Sequence, residues 1–360
     1  MPAKVAINGF GRIGRAAFKI ISDRDDAEVV AVNDLTSARI LAHLLRYDSA
    51  YGTFRKKIEV EEDGKIVMIE GTAYPEDHFI NEQQLPKKSY LVVDGKRALV
   101  LSEKDPLKLP WKDLGIDVVL ECTGRFTKDA SASMHITAGA KKVVVSAPVK
   151  GEGGIPTFLK GVNHDQYLGQ NVISNASCTT NCISPIVSVI HSKFKILKSA
   201  MSTIHGMTAE QNIVDGPPPG LHSDLGRARA AGFNIVPTTT GAAKATTQVL
   251  PELAGLFDGV SIRVPVIVGS LSDITMLVSK KTSVEEVNQA FIDASQNPFY
   301  KGVLDVSYEP LVSSDVIGTT ASAIVDLSFT RVIDSDLVKV LAWYDNEWGY
   351  SNRLVEIALM

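Results

Sequence analysis

Cysteine is scarce, with three residues in a chain of 360. A small odd number in so long a chain does not build a disulfide framework, and a reducing compartment is expected. No apolar run approaches the roughly 18 residues of a membrane-spanning helix. Cationic charge is not in excess: 37 Lys and Arg stand against 41 Asp and Glu, for a net charge of −4. That gives no electrostatic footprint for nucleic acid or an anionic membrane, so neither is expected as a dedicated partner. There is no internal repeat and no low-complexity tract. Met1-Pro2-Ala3 runs into an apolar strand without a charged n-region and apolar h-region. The tail Ala358-Leu359-Met360 is not a peroxisomal address. Cytoplasm is the expected compartment.

What remains is an ordinary globular composition, 45% hydrophobic and 22% charged, at a length that suggests two domains with sizeable cores. Lys4 to Asn8 reads as a strand running into Gly9-Phe10-Gly11-Arg12-Ile13-Gly14, a match to G-x-G-x-x-G. Apolar residues at Ile13, Ala16, Ala17, Ile20 and Ile21 follow with helical spacing. Glu28 to Asn33 is a second strand, and Asp34 lies twenty positions past Gly14, where a dinucleotide fingerprint places its ribose ligand. A glycine-rich turn in any βαβ unit does not account for Asp34. The glycines admit a pyrophosphate to the backbone and the helix start offers it N–H groups. The Asp34 carboxylate accepts from ribose hydroxyls and repels a 2′-phosphate, which favours NAD over NADP without settling the choice.

The stretch from Ser174 to Cys182, SNASCTTNC, reads as a strand end, a polar turn and a helix from about Thr179 to Phe194. Cys178 then sits where a helix begins, and unpaired N–H groups and the helix dipole favour a thiolate there. The competing reading is an inert buried cysteine. Cys182, four residues on, shares its helix face. It is expected to pack, as is Cys122, and no Cys/His spacing suggests a metal site.

Asp63-Gly64 and Asp94-Gly95 are hairpin signals. Asp117 to Glu121 and Lys142 to Ser146 read as parallel strands ending in polar turns. Tyr74 to Ser89 looks like an inserted surface segment. Later strands are read at Ser199 to His205, Val260 to Val268, Ile274 to Ser279, Ala323 to Thr330 and Leu337 to Tyr344. Ser283 and Glu286 form a capping box for a helix from Val284 to Ser295. Gly349 to Met360 reads as a terminal amphipathic helix. The whole is expected to be α/β: a Rossmann-type, doubly wound N-terminal domain and an α+β domain with a mostly antiparallel sheet.

The nine residues around Cys178 resemble the signature of the phosphorylating glyceraldehyde-3-phosphate dehydrogenases. The resemblance runs through essentially the whole chain. It includes Asn8 to Arg15, Arg46 to Ser49, Glu121 to Phe126, Thr240 to Lys244, Arg263-Val264-Pro265 and Trp343 to Tyr350. It implies an NAD-binding domain over 1–177 and 346–360, a catalytic domain over 178–345, and a homotetramer.

For the site, the resemblance implies Cys178 as nucleophile and His205 as its acid–base partner. Residue pattern alone would leave seven histidines competing for that role. It also implies that Asn8, Gly9, Gly11, Arg12, Ile13, Gly14, Asp34, Thr123, Ser146 and Asn346 hold the cofactor, NAD. Thr208 and Arg229 would take the C3 phosphate of glyceraldehyde 3-phosphate, and Ser177, Thr179, Thr240 and Gly241 the attacking inorganic phosphate. The threonines taken alone are equally an ordinary β-rich run. The chain departs from the family at Gly206-Met207, where an aromatic is usual. It departs again at Gly226, where a basic residue is common, and in a longer proline-rich loop from Asn212 to Asp224. Erythrose-4-phosphate dehydrogenase, which shares the signature, is the sister alternative. Nucleic-acid binding through the nucleotide groove is the alternative of another class.

Overall fold

The computed structural model describes residues 1–69, 86–128, 130–151, 154–219 and 224–360. Most of the expected insert at 74–89 lies outside them. The chain divides into two compact units, one of Met1–Pro156, Gly169–Ser174 and Leu354–Met360, the other of Thr157–Leu168 and Asn175–Arg353. The stretch Thr157–Leu168 groups with the second unit because Leu159 is fully buried in that unit's core and Val162 packs against it.

The first unit is built on a nine-stranded mixed sheet. Six strands are parallel, in the spatial order Lys96–Leu101, Ala27–Asn33, Ala3–Asn8, Val118–Glu121, Lys142–Val145 and Val172–Ser174. Runs such as Lys-Val-Val-Val and Val-Val-Leu-Glu are buried at every position, as parallel strands covered on both faces must be. The chain order reverses at Ala3–Asn8, which has the second strand on one side and Val118–Glu121 on the other. Ligands of open α/β sheets gather at the carboxyl ends of strands at such a switch point. The remaining three strands are antiparallel hairpins. Their turns fall at Asp63-Gly64 and Asp94-Gly95, where φ is positive at all four residues (47°, 82°, 48° and 80°), the geometry of the hairpin turns the sequence called for.

The second unit carries a seven-stranded, mostly antiparallel sheet. Its order is Val236–Thr239, Phe257–Arg263, Ile196–His205, Ser270–Val278, Leu337–Tyr344, Ala323–Ile333 and Leu304–Ser307. Ser270–Val278 and Leu337–Tyr344 bury every second residue. The buried face joins residues of Cys178–Phe194, Ala242–Val249 and Val284–Gln296 in one core that includes Ile186, Ile190, Phe291, Met276 and Val340. Ser283 and Glu286 form the expected capping box. Val260 to Val268 is corrected: the strand is Phe257–Arg263. The segment ends there because Val264 precedes Pro265, and a residue before proline adapts poorly to regular structure. The helix Ala242–Val249 was not anticipated, since its threonines masked its helical spacing.

Candidate active site

In the first unit, the turn after Ala3–Asn8 fits a dinucleotide. Gly9 has φ +92°, and a Cβ there would lie 2.7 Å from the Thr123 nitrogen. Gly14 lies so close under the turn that a Cβ would meet the Gly9 carbonyl oxygen. Gly11 faces open space and begins the helix Arg12–Ser22 as an N-cap without a side-chain hydrogen bond. The first turn of that helix holds no acidic residue, so its N–H groups suit an anion. Ile13 is half-buried within it. The Asp34 carboxylate accepts from the Phe10 N–H at 2.7 Å, which fixes the acid against the glycine turn.

Other expected cofactor residues are engaged with protein. Asn8 is buried and its amide donates to Glu121 at 2.5 Å while accepting from Asn33 at 2.7 Å. Thr123 donates to Glu121 through both its N–H and its hydroxyl. Arg12 pairs with Asp48 at 2.6 Å. The Ser146 N–H donates to the Glu121 carbonyl. Beside it, burial and the neighbouring Glu121 charge push the Cys122 thiol up to about 12, which disfavours the thiolate.

In the second unit, a strained turn presents the thiol. Ala176 adopts φ 51°, a left-handed conformation uncommon for residues other than glycine. Its carbonyl accepts from the Tyr350 hydroxyl at 3.0 Å. The Asn181 amide donates to the Asn175 carbonyl at 2.8 Å, so the turn is held from two sides. Ser177 is then the N-cap, its hydroxyl accepting from the Thr180 N–H at 3.1 Å. Cys178 is the first residue of the helix Cys178–Phe194, one residue earlier than expected.

Cys178 Sγ lies 3.4 Å from His205 Nε2. His205 ends its strand, and the parallel register pairs it with Arg263 at the end of the next. The sheet itself therefore sets the guanidinium beside the imidazole, with Arg263 Nη1 2.6 Å from Nδ1. The Gly206 carbonyl also lies 2.7 Å from Nδ1. These contacts ask for opposite states of Nδ1: the guanidinium needs a lone pair, the carbonyl an N–H. Burial first, then the Arg263 charge, pull the imidazole down to about 3. Burial pushes the Cys178 thiol up, against the Arg263 charge and hydrogen bonds from Thr179. Desolvation thus opposes the pull of the helix start towards a thiolate at Cys178. Burial penalises each ion alone, but a proton passing from sulfur to imidazole makes a pair of zero net charge, and such a pair titrates as a unit.

The other expected residues are spread around this centre. The Thr179 hydroxyl shares a 3.0 Å hydrogen bond with Tyr344, which also bonds Thr203 at 2.8 Å. Asn346 Oδ1 accepts from the Gly269 N–H and the Ser270 hydroxyl. Thr240 accepts from the Ala242 N–H, and Gly241 is the N-cap of that helix. Among the described residues, Thr208 Oγ1, Gln211 Nε2 and Arg263 Nε are buried polar atoms without a hydrogen-bond partner. Arg229 is exposed and paired with Asp215 at 2.8 Å, whereas Arg227 is buried against Glu210 and Thr238. Cys182 is fully buried, its sulfur 3.7 Å from the Ser272 hydroxyl.

Residues 3–84 and 76–129 match the glyceraldehyde 3-phosphate dehydrogenase NAD-binding domain, and residues 177–346 match the C-terminal domain of the same family. The chain belongs to the glyceraldehyde 3-phosphate dehydrogenase family. It is 46% identical over 357 residues to glyceraldehyde-3-phosphate dehydrogenase 1 of Bacillus cereus, covering 99% of this chain and 97% of that one. It is 47% identical over 360 residues to the enzyme of Geobacillus stearothermophilus, with 99% and 98% covered. With the enzyme of Thermotoga maritima it shares 49% over 357 residues, with 98% and 97% covered. NAD is the cofactor of this dehydrogenase family, and the glycine turn and Asp34 suit it.

Sequence reasoning assigned no role to Arg263, Tyr344, Gln211 or Arg227. For Arg263 a signal existed: it ends the strand that pairs with the one ending at His205. Seeing it required the register of two strands 58 positions apart along the chain.

Proposed function

We propose that this chain oxidises D-glyceraldehyde 3-phosphate and phosphorylates it to 1,3-bisphosphoglycerate, with NAD and inorganic phosphate, in glycolysis or gluconeogenesis. The observation that carries the reading is the Cys178–His205 pair at 3.4 Å, at a helix start and beside Arg263. Cys178 sulfur attacks the aldehyde carbon and forms a thiohemiacetal. The developing oxyanion is met by N–H groups of the helix start and by His205. His205 then takes the hydroxyl proton as the C1 hydride leaves and a thioester forms. Bound NAD supplies the acceptor for that hydride. A phosphate oxygen attacks the thioester carbon, the C–S bond breaks, and the acyl phosphate departs with the sulfur as thiolate, the leaving group that makes this covalent route efficient.

The unpartnered donors of Thr208, Gln211 and Arg263 support anion binding around this centre, since buried donors without partners are costly. Arg263, with its buried unpartnered Nε, joins Arg229 as a candidate for a substrate phosphate. We assign the enzyme to the cytoplasm as a homotetramer; among the described residues no helix is long and apolar enough to cross a membrane. NADH production should require inorganic phosphate and favour glyceraldehyde 3-phosphate over erythrose 4-phosphate in kcat/KM. The reverse preference would assign the chain to the sister activity.

Asp34 offers a separate check. Two unit charges ~4 Å apart at an effective dielectric of ~20 repel by ~4 kcal/mol, less when solvent reaches them. Asp34→Ala is expected to shift the NADP-to-NAD ratio of kcat/KM towards NADP by about tenfold or more. An unchanged ratio would mean that Asp34 does not face the ribose.

A further inference from the structure

Beneath the dinucleotide turn lies a chain of buried polar side chains that the reaction does not use directly. Its centre is Glu121, 1% exposed, at the end of Val118–Glu121. One carboxylate oxygen accepts from the Thr123 N–H at 2.8 Å and the Thr123 hydroxyl at 2.5 Å. The other accepts from the Asn8 amide at 2.5 Å and lies 3.0 Å from His135 Nε2. His135 is 0% exposed, and the Trp111 indole N–H donates to its Nδ1 at 2.9 Å.

The directions of the bonds to Glu121 are fixed from both ends; Asn8 Nδ2 and His135 Nε2, 3.4 Å apart, both donate to the same Glu121 oxygen. An indole N–H only donates, so His135 Nδ1 is an acceptor and Nε2 carries the hydrogen given to Glu121. At the far end the Glu103 N–H donates to Asn33 Oδ1 at 2.9 Å. That orients the Asn33 amide, whose nitrogen donates to Asn8 Oδ1 at 2.7 Å. Asn8 must then present its own nitrogen to Glu121. Four donors converge on Glu121 and nothing there needs a proton from it, so the group is a fully satisfied buried carboxylate.

The consequence is positional. Asn8, Asn33 and Glu121 end three adjacent parallel strands, and the Gly9–Gly14 turn, Asp34 and the Thr123 turn grow from those ends. The first and third of these turns are already in contact, since a Cβ on Gly9 would sit 2.7 Å from the Thr123 nitrogen. Their relative position therefore depends on the carboxylate that holds both.

We propose that His135, acting through Glu121, is a positioning residue of the NAD site: it sets the two turns that receive the dinucleotide while being itself too buried to touch it. In the His135→Leu variant the carboxylate loses a donor and the Trp111 N–H loses its acceptor. Such losses in a buried site correspond to about tenfold or more in an equilibrium constant. Calorimetric titration of the full chain with NAD should show the Kd raised by about tenfold. His135→Gln, whose amide can both donate to Glu121 and accept from Trp111, should restore the Kd to within about threefold of the parent. Alkylation of Cys178 without NAD, which reports on the other unit, should be unmoved in both.

A lower Tm for His135→Leu with an unchanged Kd would overturn the proposal, leaving a purely structural role. So would a Gln variant as weak as the Leu variant. If His135→Leu does not fold, Glu121→Gln is the test. It turns an amide nitrogen towards groups that also donate, and is expected to raise the Kd by about tenfold; an unchanged Kd would overturn the proposal.

Discussion

Replacing Cys178 with Ser is expected to lower turnover by about 10⁴-fold or more while leaving NAD affinity within about twofold, because removal of a covalent nucleophile has effects of that order. The substitution keeps the N-terminal position on the helix and nearly the same volume. What changes is the acid. A thiol within 3.4 Å of an imidazole can surrender its proton to it, whereas an alcohol is far less acidic and gives no comparable population of anion. Ser would also form an oxygen ester, a poorer acyl donor to phosphate than a thioester. NADH formation under saturating substrate measures the first effect and titration with NAD the second. Turnover retained at a tenth of the parent rate, or lost together with NAD binding, would contradict the assignment.

His205→Asn is expected to cost about 10²–10⁴ in kcat, the range for a positioned acid–base group. It should also change the acidity of the thiol. In the parent, burial raises Cys178 above the ordinary thiol range, and burial with the Arg263 charge brings His205 down to about 3. Each effect favours the neutral form of its own group. Together they favour the neutral thiol–imidazole pair at rest, and the thiolate–imidazolium form, which carries no net charge, is reached by proton transfer across the 3.4 Å contact. Without the imidazole the thiolate retains only Arg263, Thr179 and the helix start. Its apparent pKa therefore rises. Alkylation by iodoacetamide at pH 7 slows in proportion to the thiolate fraction, about tenfold for every pH unit by which the thiol titration moves up. A rate–pH profile that moves to lower pH in the variant would contradict the pairing.

The parts of this site that were legible in the sequence are those encoded over short distances. Gly9, Gly11 and Gly14 are spaced for one turn and one helix, and Asp34 follows one strand later, so local pattern fixed them all. Cys178 was visible for the same reason, as a thiol where a polar turn gives way to a helix. His205 was visible only through family resemblance. The residue that most shapes its electrostatics, Arg263, was quoted in a motif without a role. Its contact depends on two strands lying in register, and no local signal carries register across 58 positions. Arg229 shows the converse. Family resemblance named it as a phosphate ligand, while its pairing with Asp215, fourteen residues away, and its exposure were not legible in local pattern. Asn8 and Thr123 entered as cofactor ligands through the family resemblance. In the folded unit both donate to Glu121, because a buried carboxylate must gather donors wherever the sheet brings them. The desolvation of Cys178 belongs to the same class: burial is a property of the packed unit, whereas the helix start can be read from nine residues.

The claim on which the account turns is that Cys178 carries the acyl group between oxidation and phosphorolysis. Rapid mixing of the enzyme with NAD and glyceraldehyde 3-phosphate in the absence of phosphate tests it directly. A burst of one NADH per Cys178, followed by near-arrest, with intact mass showing one acyl group on the chain and turnover resuming on addition of phosphate, is the predicted result. Steady NADH production without phosphate, or a burst with no mass added to the protein, would contradict it.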